Sequence, residues 1–480
     1  MTKILMAASE VLPFSKTGGL ADVAYALSKE LALKKSNEVV VITPYYKSID
    51  LSKYEASKVD EFDLHMNWRT FHTEVYFVTY KNIKYYLLKN ADKFDRDSIY
   101  GYYDDGERFA YFCDAILEFI MRQHMDFDVI HVHDWQSAMI PCIIKRRIDI
   151  TNRFEKTKTI LTIHNPAFQG LFGVGSLWDF YGLDENLFYS GEIRMNDQVS
   201  TLKAGIRFAD KITTVSPTHA NELKELEKSF GLYYDLQYRG SDFVGVLNGM
   251  DYEEFNPATD PRIDANFGLK NLTSGKKANK EAFAKEFGIN VKAPLFGCVS
   301  RLSDQKGLHQ LIDMSNHIIE KGGSVAILGT GEKWAEDLFN DMHKRFPTQF
   351  LAFTKFDNNL AHKIYAASDF FLMPSVFEPC GLGQMIAERY GSLPVVRSVG
   401  GLVDSVIGYT TDLNNAENAT GVMFNDGDGT ASNWAIDTCY HIYENSKLLT
   451  QLRKNAMKMD HSWKKSCSDY EALYKEMLAK

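Results

Sequence analysis

The 480-residue sequence has few cysteines, no long apolar run and no excess of positive charge. Its six cysteines are scattered without a CxxC pair, which is typical of reduced thiols and not of a disulfide framework or a zinc site. No stretch approaches the ~18 apolar residues of a membrane span, and the first apolar run is too short for a signal peptide. The net charge of −9 argues against broad binding to nucleic acid or an anionic membrane. We expect a cytoplasmic protein without nucleic-acid or membrane partners.

The remaining composition is that of an ordinary globular chain, and its length predicts two domains at roughly 100–200 residues each. Strand-like apolar runs alternate with helical patterns in both halves, which predicts two Rossmann-like, doubly wound α/β domains with a boundary between residues 248 and 293. A polar stretch in that interval, residues 273–277, is interpreted as a surface loop or a helix approach. The predicted strands are residues 4–8, 39–43, 129–132, 160–163, 212–215, 244–247, 295–300, 324–328, 350–354, 369–373 and 393–396, with a hairpin over 74–80 and 83–88.

A lysine–glycine turn, Lys16-Thr17-Gly18-Gly19, lies between the first predicted strand and an amphipathic helix that begins at Leu20. Strand, glycine turn and helix direct free N–H groups and the positive end of a helix dipole at an anion. This geometry favours a phosphate-bearing ligand. The alternative is a tight turn that needs glycine for a positive φ, next to a solvated lysine.

A second basic turn follows the strand at 295–300, where Arg301 and Lys306 precede a helical pattern. Ligands of open α/β sheets bind beyond the carboxyl ends of the strands, where the strand order switches. The residues after the predicted strands are unusually polar, and we expect the two basic sites to face one cleft. These strand-end residues are Lys16, His133, Asp134, His164, Asn165, Asn248, Arg301, Lys306 and Glu378.

Together the motifs resemble bacterial glycogen synthases and plant starch synthases, family 5 of the retaining glycosyltransferases, over nearly the whole chain. The matching segments are residues 16–23, 131–135, 162–165, 214–217, 248–251, 300–302, 305–307, 374–375, 378–382 and 400–402.

The resemblance implies the GT-B architecture and transfer of glucose from ADP-glucose to the non-reducing end of an α-1,4-glucan such as glycogen, with retention. No metal or other cofactor is implied. The expected parts are an acceptor-side domain over residues 1–247, a nucleotide-sugar domain over 248–455, and a C-terminal helix over 456–480 that returns to the first domain.

The resemblance also assigns roles in the second half of the chain. Arg301 and Lys306 contact the diphosphate, whose leaving-group charge is the main catalytic demand. Glu378 lies at the donor glucose, and its other interpretation is a helix-start glutamate. The remaining donor-binding residues are Phe356, which stacks on the base, and Cys380, Gly381 and Leu382, of which Gly381 and Leu382 present backbone N–H groups to phosphate.

In the first half, the resemblance places His164 against the sugar and Asp134 in the cleft, with a helix N-cap as the alternative for Asp134. Lys16, Gly18 and Gly19 complete the phosphate clamp. Asp22 contacts the nucleotide or complements the helix dipole, and Asn248 is a further substrate-binding residue.

Competing interpretations use the same residues. His131 and His133 lie on one face of a strand end, as in some metal-dependent hydrolases. The absence of GxGxxG argues against an NAD-dependent oxidoreductase. Gly383 and Val399 replace threonines common in the family, and Phe356 replaces a frequent tyrosine, so UDP-glucose is the second candidate donor.

Overall fold

The computed structural model describes residues 1–410, 415–425 and 429–479, and the chain forms two compact units. Unit 1 comprises Met1–Gly249 and Trp463–Lys480, and unit 2 comprises Met250–Ser462. The limits expected from the sequence, after residues 247 and 455, differ from these by two and seven residues. None of the helices in the described ranges is long and apolar enough to cross a bilayer.

Unit 1 contains twelve strands: β1 Thr2–Ala7, β2 Asn37–Pro44, β3 Ala56–Met66, β4 Arg69–Tyr80, β5 Ile83–Lys89, β6 Val129–His133, β7 Lys158–Ile163, β8 Leu171–Phe172, β9 Arg194–Met195, β10 Gln198–Ser200, β11 Lys211–Thr214 and β12 Phe243–Gly245. Its helices are α1 Gly19–Ala32, α2 Ala91–Phe94, α3 Asp105–Arg122, α4 Asp134–Ser137, α5 Met139–Arg146, α6 Ile148–Thr151, α7 Ser176–Tyr181, α8 Asn186–Tyr189, α9 Thr201–Phe208, α10 Pro217–Glu222, α11 Tyr233–Arg239 and α20 Trp463–Ala479. Short 3₁₀ turns cover Leu51–Lys53, Asn152–Phe154 and Gly240–Asp242.

The main sheet of unit 1 has nine strands in the order β12-β11-β7-β6-β1-β2-β5-β4-β3, and β8, β10 and β9 form a small second sheet. All pairs from β12 to β5 are parallel, while β3, β4 and β5 pair antiparallel. The strand order switches between β1 and β6. The chain first adds β2 on one side of β1, and later adds β6, β7, β11 and β12 in succession on the other side. Residues 4–7 of β1 have no exposed surface, as expected for a central strand covered on both faces.

Unit 2 is an open parallel sheet with helices between its strands. Its strands are β13 Leu295–Val299, β14 Ser324–Leu328, β15 Phe350–Phe353, β16 Phe370–Met373, β17 Leu393–Arg397 and β18 Val422–Phe424, in the order β15-β14-β13-β16-β17-β18. Its helices are α12 Leu272–Phe287, α13 Leu308–Glu320, α14 Lys333–Arg345, α15 Asn358–Ala367, α16 Gly383–Arg389, α17 Gly400–Ser405, α18 Gly429–Glu444 and α19 Ser446–Lys458, with a 3₁₀ turn at Asp304–Lys306. The order switches between β13 and β16.

Each unit has its own apolar core. Two doubly wound α/β units are therefore confirmed, and the predicted strands at both switch points are observed within two residues. The hairpin is part of the main sheet and extends to β3, which the sequence did not reveal. In β3 only Phe62, Leu64 and Met66 are buried, so the strand gives a weak apolar signal.

The loop interpretation of residues 273–277 is wrong, because this stretch is the first part of α12. Lys276 is buried, and its Nζ donates to the carbonyls of Tyr365 at 3.2 Å and Ser368 at 2.6 Å. Burial holds the pKa of Lys276 well below its ordinary value. The two carbonyl oxygens replace the water that would otherwise solvate the Lys276 ammonium. A local sequence pattern cannot reveal such distant partners.

Candidate active site

The switch point of unit 1 brings together the segments that follow β1 and β6. Lys16, Thr17 and the glycines lie on the β1 side, and Asp134 is the residue directly after β6. This edge of a parallel sheet is where open α/β domains bind ligands.

Gly18 and Gly19 are exposed, and neither has a positive φ. A Cβ on Gly19 would meet nothing within 4 Å, and one on Gly18 would come no closer than 3.7 Å, to Glu10. The interpretation of a turn that needs glycine for its conformation is therefore wrong. The two glycines leave open space above the N-terminus of α1, where the helix dipole favours an anion, and the N–H of Gly18 already hydrogen-bonds the Glu10 carboxylate.

An ion pair and two hydrogen bonds hold this turn in place. The Lys16 ammonium lies 2.8 Å from an Asp22 carboxylate oxygen, and the Lys16 side chain is 50% exposed. Glu10 is 3% exposed and accepts hydrogen bonds from the backbone N–H of Thr17 and from its hydroxyl, the latter at 2.9 Å. Burial raises the pKa of Glu10, against the lowering effect of these hydrogen bonds. The turn is held before any ligand arrives.

Asp134 is held in a left-handed conformation with φ of 52°, which is uncommon outside glycine. Its carboxylate accepts a hydrogen bond from the backbone N–H of His164 at 2.7 Å and a longer one from Asn165. Burial raises the pKa of Asp134 to about 7. The helix-cap interpretation is wrong, because Asp134 bridges from β6 to the end of β7 and α4 has no side-chain cap.

His164, which is partly exposed, stands at the end of a row of histidines whose other members, His131 and His133, are buried. Its Nε2 lies 3.1 Å from Nδ1 of His133, so one of the two nitrogens donates to the other. Burial lowers the pKa of His164 to about 3, so its imidazole is neutral at neutral pH. A neutral ring offers one donor and one acceptor to a ligand.

The metal-dependent hydrolase interpretation fails on geometry. His131 and His133 do lie on one face, with rings stacked at 4.3 Å, but both are fully buried. The two ring nitrogens of His131 are occupied by the hydroxyls of Tyr474 at 2.8 Å and Thr162 at 2.6 Å. Within the described ranges, no three His, Cys, Asp or Glu side chains are grouped to hold a metal ion.

The switch point of unit 2 pairs a cation with a carboxylate. Lys306, after β13, donates from Nζ to Glu378 Oε2 at 2.5 Å, and Ser375 donates to the same oxygen at 3.1 Å. Glu378 is 5% exposed, whereas Arg301 is exposed and makes no side-chain hydrogen bond or ion pair within the described part of the chain. Gly307 permits this approach, since it has φ of +71° and a Cβ there would lie 2.0 Å from the carbonyl oxygen of Pro374.

The turn after Glu378 is fixed by a buried glutamine. Nε2 of Gln384 donates to the carbonyls of Cys380 and Gly381, each at 3.0 Å, and to the Ser405 hydroxyl. Gly381 has φ of +72°, and Leu382 precedes the first residue of α16. Gly401 donates its N–H to the carbonyl of Glu378 at 3.0 Å. These hydrogen bonds hold the backbone from 378 to 382 in place.

Two further predicted residues follow edge strands. Asn248 follows the edge strand β12; it is 7% exposed, and its Oδ1 has no hydrogen-bond partner among the described residues. Phe356 follows the edge strand β15, and its ring is 91% exposed.

Sequence reasoning missed Glu10 and Gln384. Glu10 stands three residues beyond β1, a strand-end signal as strong as that of Lys16, and an acidic residue inside an apolar N-terminal run is itself unusual. Gln384 gave no such signal, because a glutamine in a helix has no distinguishing pattern.

Comparison with known proteins agrees with this geometry. Residues 3–238 match the family model of the starch synthase catalytic domain, and residues 279–459 match that of glycosyl transferases group 1. The chain is 40% identical to the glycogen synthase of Lactococcus lactis and 41% identical to that of Streptococcus mutans, over 99% of this chain and 100% of each relative.

Solved structures show the same likeness. The catalytic domain of starch synthase IV from Arabidopsis thaliana, solved with ADP and acarbose bound, superposes with a TM-score of 0.91 at 32% identity, over 100% of this chain and 99% of that one. The sucrose-phosphate synthase of Thermosynechococcus elongatus, at 15% identity and a TM-score of 0.62 over the full length of both chains, shares the fold.

Fold and strand-end residues together define a glycosyltransferase with two Rossmann-like domains, the GT-B architecture. The chain belongs to the glycogen and starch synthase family, and it has the glucan synthase function of that family.

Proposed function

We propose that this synthase transfers glucose from ADP-glucose to the non-reducing end of an α-1,4-glucan, with retention at the anomeric carbon. The observation that carries the proposal is the cluster at the switch point of unit 2, where Lys306 and Glu378 are in contact and Arg301 is exposed. The binding of ADP by the related starch synthase supports adenine as the base of the donor.

Arg301 and Lys306 are proposed to stabilise the charge that develops on the diphosphate as the glucosyl bond breaks. Lys306 is positioned by Glu378, so its ammonium is fixed before the reaction. Moving the ammonium into place during the reaction therefore costs little free energy. These two cations are the reason to propose a reaction without a metal or other cofactor.

Glu378 is proposed to accept hydrogen bonds from the hydroxyls of the donor glucose. Its carboxylate is shared with Lys306 and Ser375, a setting that suits a hydrogen-bond acceptor. The backbone at Gly381 and Leu382 is proposed to offer N–H groups to the diphosphate, and the exposed Phe356 ring to stack on the base. Cys380 contributes to the same backbone turn.

Unit 1 is proposed to bind the donor through Lys16 and the N–H group of Gly19, with Gly18 leaving open space for the ligand. Asp22 orients Lys16 through their ion pair. Neutral His164 is proposed to hydrogen-bond the reacting sugar, and Asp134 to fix the backbone at His164 and to face the acceptor. Asn248, with its unpartnered Oδ1, is proposed as a further substrate contact.

The Gly383 departure does not weaken the adenine assignment. A Cβ on Gly383 would lie 3.2 Å from Met373 Sδ, 3.3 Å from the Phe371 ring and 3.5 Å from the Tyr365 hydroxyl, so a side chain there would meet packed groups of unit 2. A threonine at 383 would therefore not place its Cβ towards open space, and its absence says little about the base.

The test is transfer of radiolabelled glucose to glycogen from ADP-glucose, UDP-glucose and GDP-glucose in parallel. We expect ADP-glucose to be the preferred donor. Preference for UDP-glucose would overturn the donor assignment alone, and no transfer from any donor would overturn the activity.

A further inference from the structure

Unit 1 contains a cavity of about 420 Å³ that none of the roles above uses. It lies between the end of α8, the hairpin of β9 and β10, and the first turn of α9. The described residues that line it are Tyr189, Ser190, Gly191, Arg194, Asn196 and Lys203. Two of these side chains are cations and none is acidic, so the cavity favours an anion although the net charge of the chain is −9.

Arg194 is the cation that a ligand can reach directly. It is exposed in β9, and within the described ranges its side chain makes no hydrogen bond or ion pair, only a contact of 5.7 Å with the Phe188 ring. The carboxylate of Glu192, two residues earlier, is bound by Arg146 at 3.0 Å. A guanidinium presents its N–H groups as a planar fork that fits two oxygens of a phosphate group.

Lys203 supplies a second donor from a more buried position, since its side chain is 12% exposed. Its Nζ lies 3.1 Å from Asp235 Oδ2 and donates to the carbonyl of Arg194 at 3.0 Å. An ammonium has three N–H groups, so one remains for a ligand after these two contacts. Because Asp235 compensates the charge of Lys203, the excess positive charge of the cavity comes from Arg194.

The backbone that carries both cations is held by hydrogen bonds. The Ser200 hydroxyl oxygen caps α9 by accepting from the N–H of Lys203 at 3.1 Å, and the Thr201 hydroxyl donates to the carbonyl of Trp135 at 3.0 Å. Arg194 belongs to the antiparallel ladder of β9 and β10. The positions of the two cations are therefore largely set before a ligand arrives, which lowers the entropic cost of binding.

The remaining lining groups suit the oxygen atoms of a small ligand. The Ser190 hydroxyl and the Asn196 amide can both donate hydrogen bonds. A Cβ on Gly191 would meet nothing within 4 Å, so the backbone leaves open space there. The cavity volume lies within the range of about 300–1,000 Å³ typical of small-molecule sites, which admits a phosphate monoester as well as inorganic phosphate.

We propose that this cavity binds a phosphate dianion, either as inorganic phosphate or as the phosphate group of a small monoester. The Arg194 guanidinium binds two phosphate oxygens, the free N–H of Lys203 donates to one of them, and Ser190 and Asn196 donate to the others. The site shares no residue with the donor and acceptor contacts proposed above, so the inference does not depend on the proposed function.

The test is isothermal titration calorimetry of the full-length protein at constant ionic strength, with inorganic phosphate, glycerol 3-phosphate and uncharged glycerol as ligands. We expect both phosphates to bind the wild type and glycerol not to bind, because the charged group supplies the affinity. Tighter binding of glycerol 3-phosphate than of inorganic phosphate would assign the site to esters. Equal or weaker binding of the ester would assign it to inorganic phosphate.

Variants of Arg194 locate the bound anion. Arg194→Gln should weaken the binding of both phosphates by about tenfold or more, and Arg194→Lys by less, because lysine keeps the charge but loses the planar fork. Arg153→Gln is the matched control, since Arg153 is 36% exposed in the same unit, lies outside the cavity and is paired with Asp126. Its affinity should stay within about twofold of wild type.

The proposed donor site is a second place where a phosphate could bind, and Arg301→Gln separates the two sites. This variant should keep the affinity of the cavity within about twofold of wild type. The inference is overturned if the wild type binds neither phosphate, if Arg194→Gln binds as the wild type does, or if binding is lost in Arg301→Gln alone. The titrations use no nucleotide sugar, so a failure of the transfer reaction would be seen separately.

Discussion

Lys306 and Glu378 show how one ion pair prepares a site for a charged ligand. The Lys306 side chain is 17% exposed and that of Glu378 is 6% exposed, so the pair is shielded from water and from salt. A buried pair costs desolvation free energy and adds little stability by itself. Its benefit is positional, since the ammonium keeps a fixed place next to the diphosphate.

We predict that Lys306→Ala lowers kcat by about 10²–10³-fold while the fold is retained, because loss of one preorganised group at a developing charge has effects of this size. Radiolabelled transfer measures kcat, and circular dichroism checks the fold. The matched control is Lys333→Ala in the same unit, where the side chain is 80% exposed. Near-normal turnover of Lys306→Ala would refute its role.

The raised pKa of Asp134 predicts that the stability of the folded chain depends on pH. Its pKa of about 7 in the folded chain lies above the ordinary value, because burial disfavours the charged form. Between about pH 4 and pH 7 the folded state therefore holds a proton that the unfolded state has released, and this group destabilises the fold increasingly as pH rises.

We therefore expect the melting temperature of Asp134→Asn, minus that of the wild type, to increase from about pH 5 to about pH 7.5 and then to level off. Asparagine still accepts the backbone hydrogen bonds but does not titrate. Calorimetry of both proteins across this range measures the difference. A difference that is constant with pH would show that Asp134 does not titrate there.

At the scale of elements, the N-terminus of α1 contains a position where a substitution can affect ligand binding without affecting the conformation of the chain. Gly19 has open space around its Cβ position and no positive φ, so alanine fits there without strain. Alanine also has a helix propensity better than that of glycine by up to about 1 kcal/mol.

We predict that Gly19→Ala leaves the melting temperature unchanged or slightly higher, and raises KM for the nucleotide sugar by about tenfold through contact of the methyl group with the ligand. Gly268→Ala is the control, because that Cβ also meets nothing and its φ is not positive. Unchanged KM in Gly19→Ala would mean that the ligand does not approach this turn.

The elements around both switch points were predictable, and the peripheral ones were less so. Central strands such as β1 and β13 are short apolar runs that must be buried on both faces, so composition alone indicates them. The edge strand β3 and the small sheet of β8, β9 and β10 have mixed polarity, and their pairing depends on distant partners. The same applies to residues 273–277, whose buried lysine requires two carbonyls from a neighbouring segment.

At the scale of the whole molecule, the C-terminal helix α20 completes the core of unit 1. Tyr470 and Tyr474 are buried in that core, and Ser466 donates to the carbonyl of Leu247 at 2.5 Å. Among the residues that the structure describes, the core of unit 2 includes none from α20.

Deletion of residues 463–480 should therefore reduce hydrogen-exchange protection in residues 1–249 and leave most of the protection in 250–462. The physical reason is that apolar surface of unit 1 becomes exposed while the core of unit 2 keeps its contacts. Exchange followed by mass spectrometry measures both regions in one experiment. Equal loss in the two regions would contradict separate cores.

The sequence by itself determined the two α/β units, the strands at their switch points and the identity of the residues at those strand ends. These features follow from local apolar patterns and from the rule that parallel strands end at a common edge. Only the tertiary structure decided that Asp134 binds the backbone at His164, that His131 is satisfied by Thr162 and Tyr474, and that Lys306 is held by Glu378. Such pairings join residues 30–343 positions apart, and depend on packing that no local pattern records.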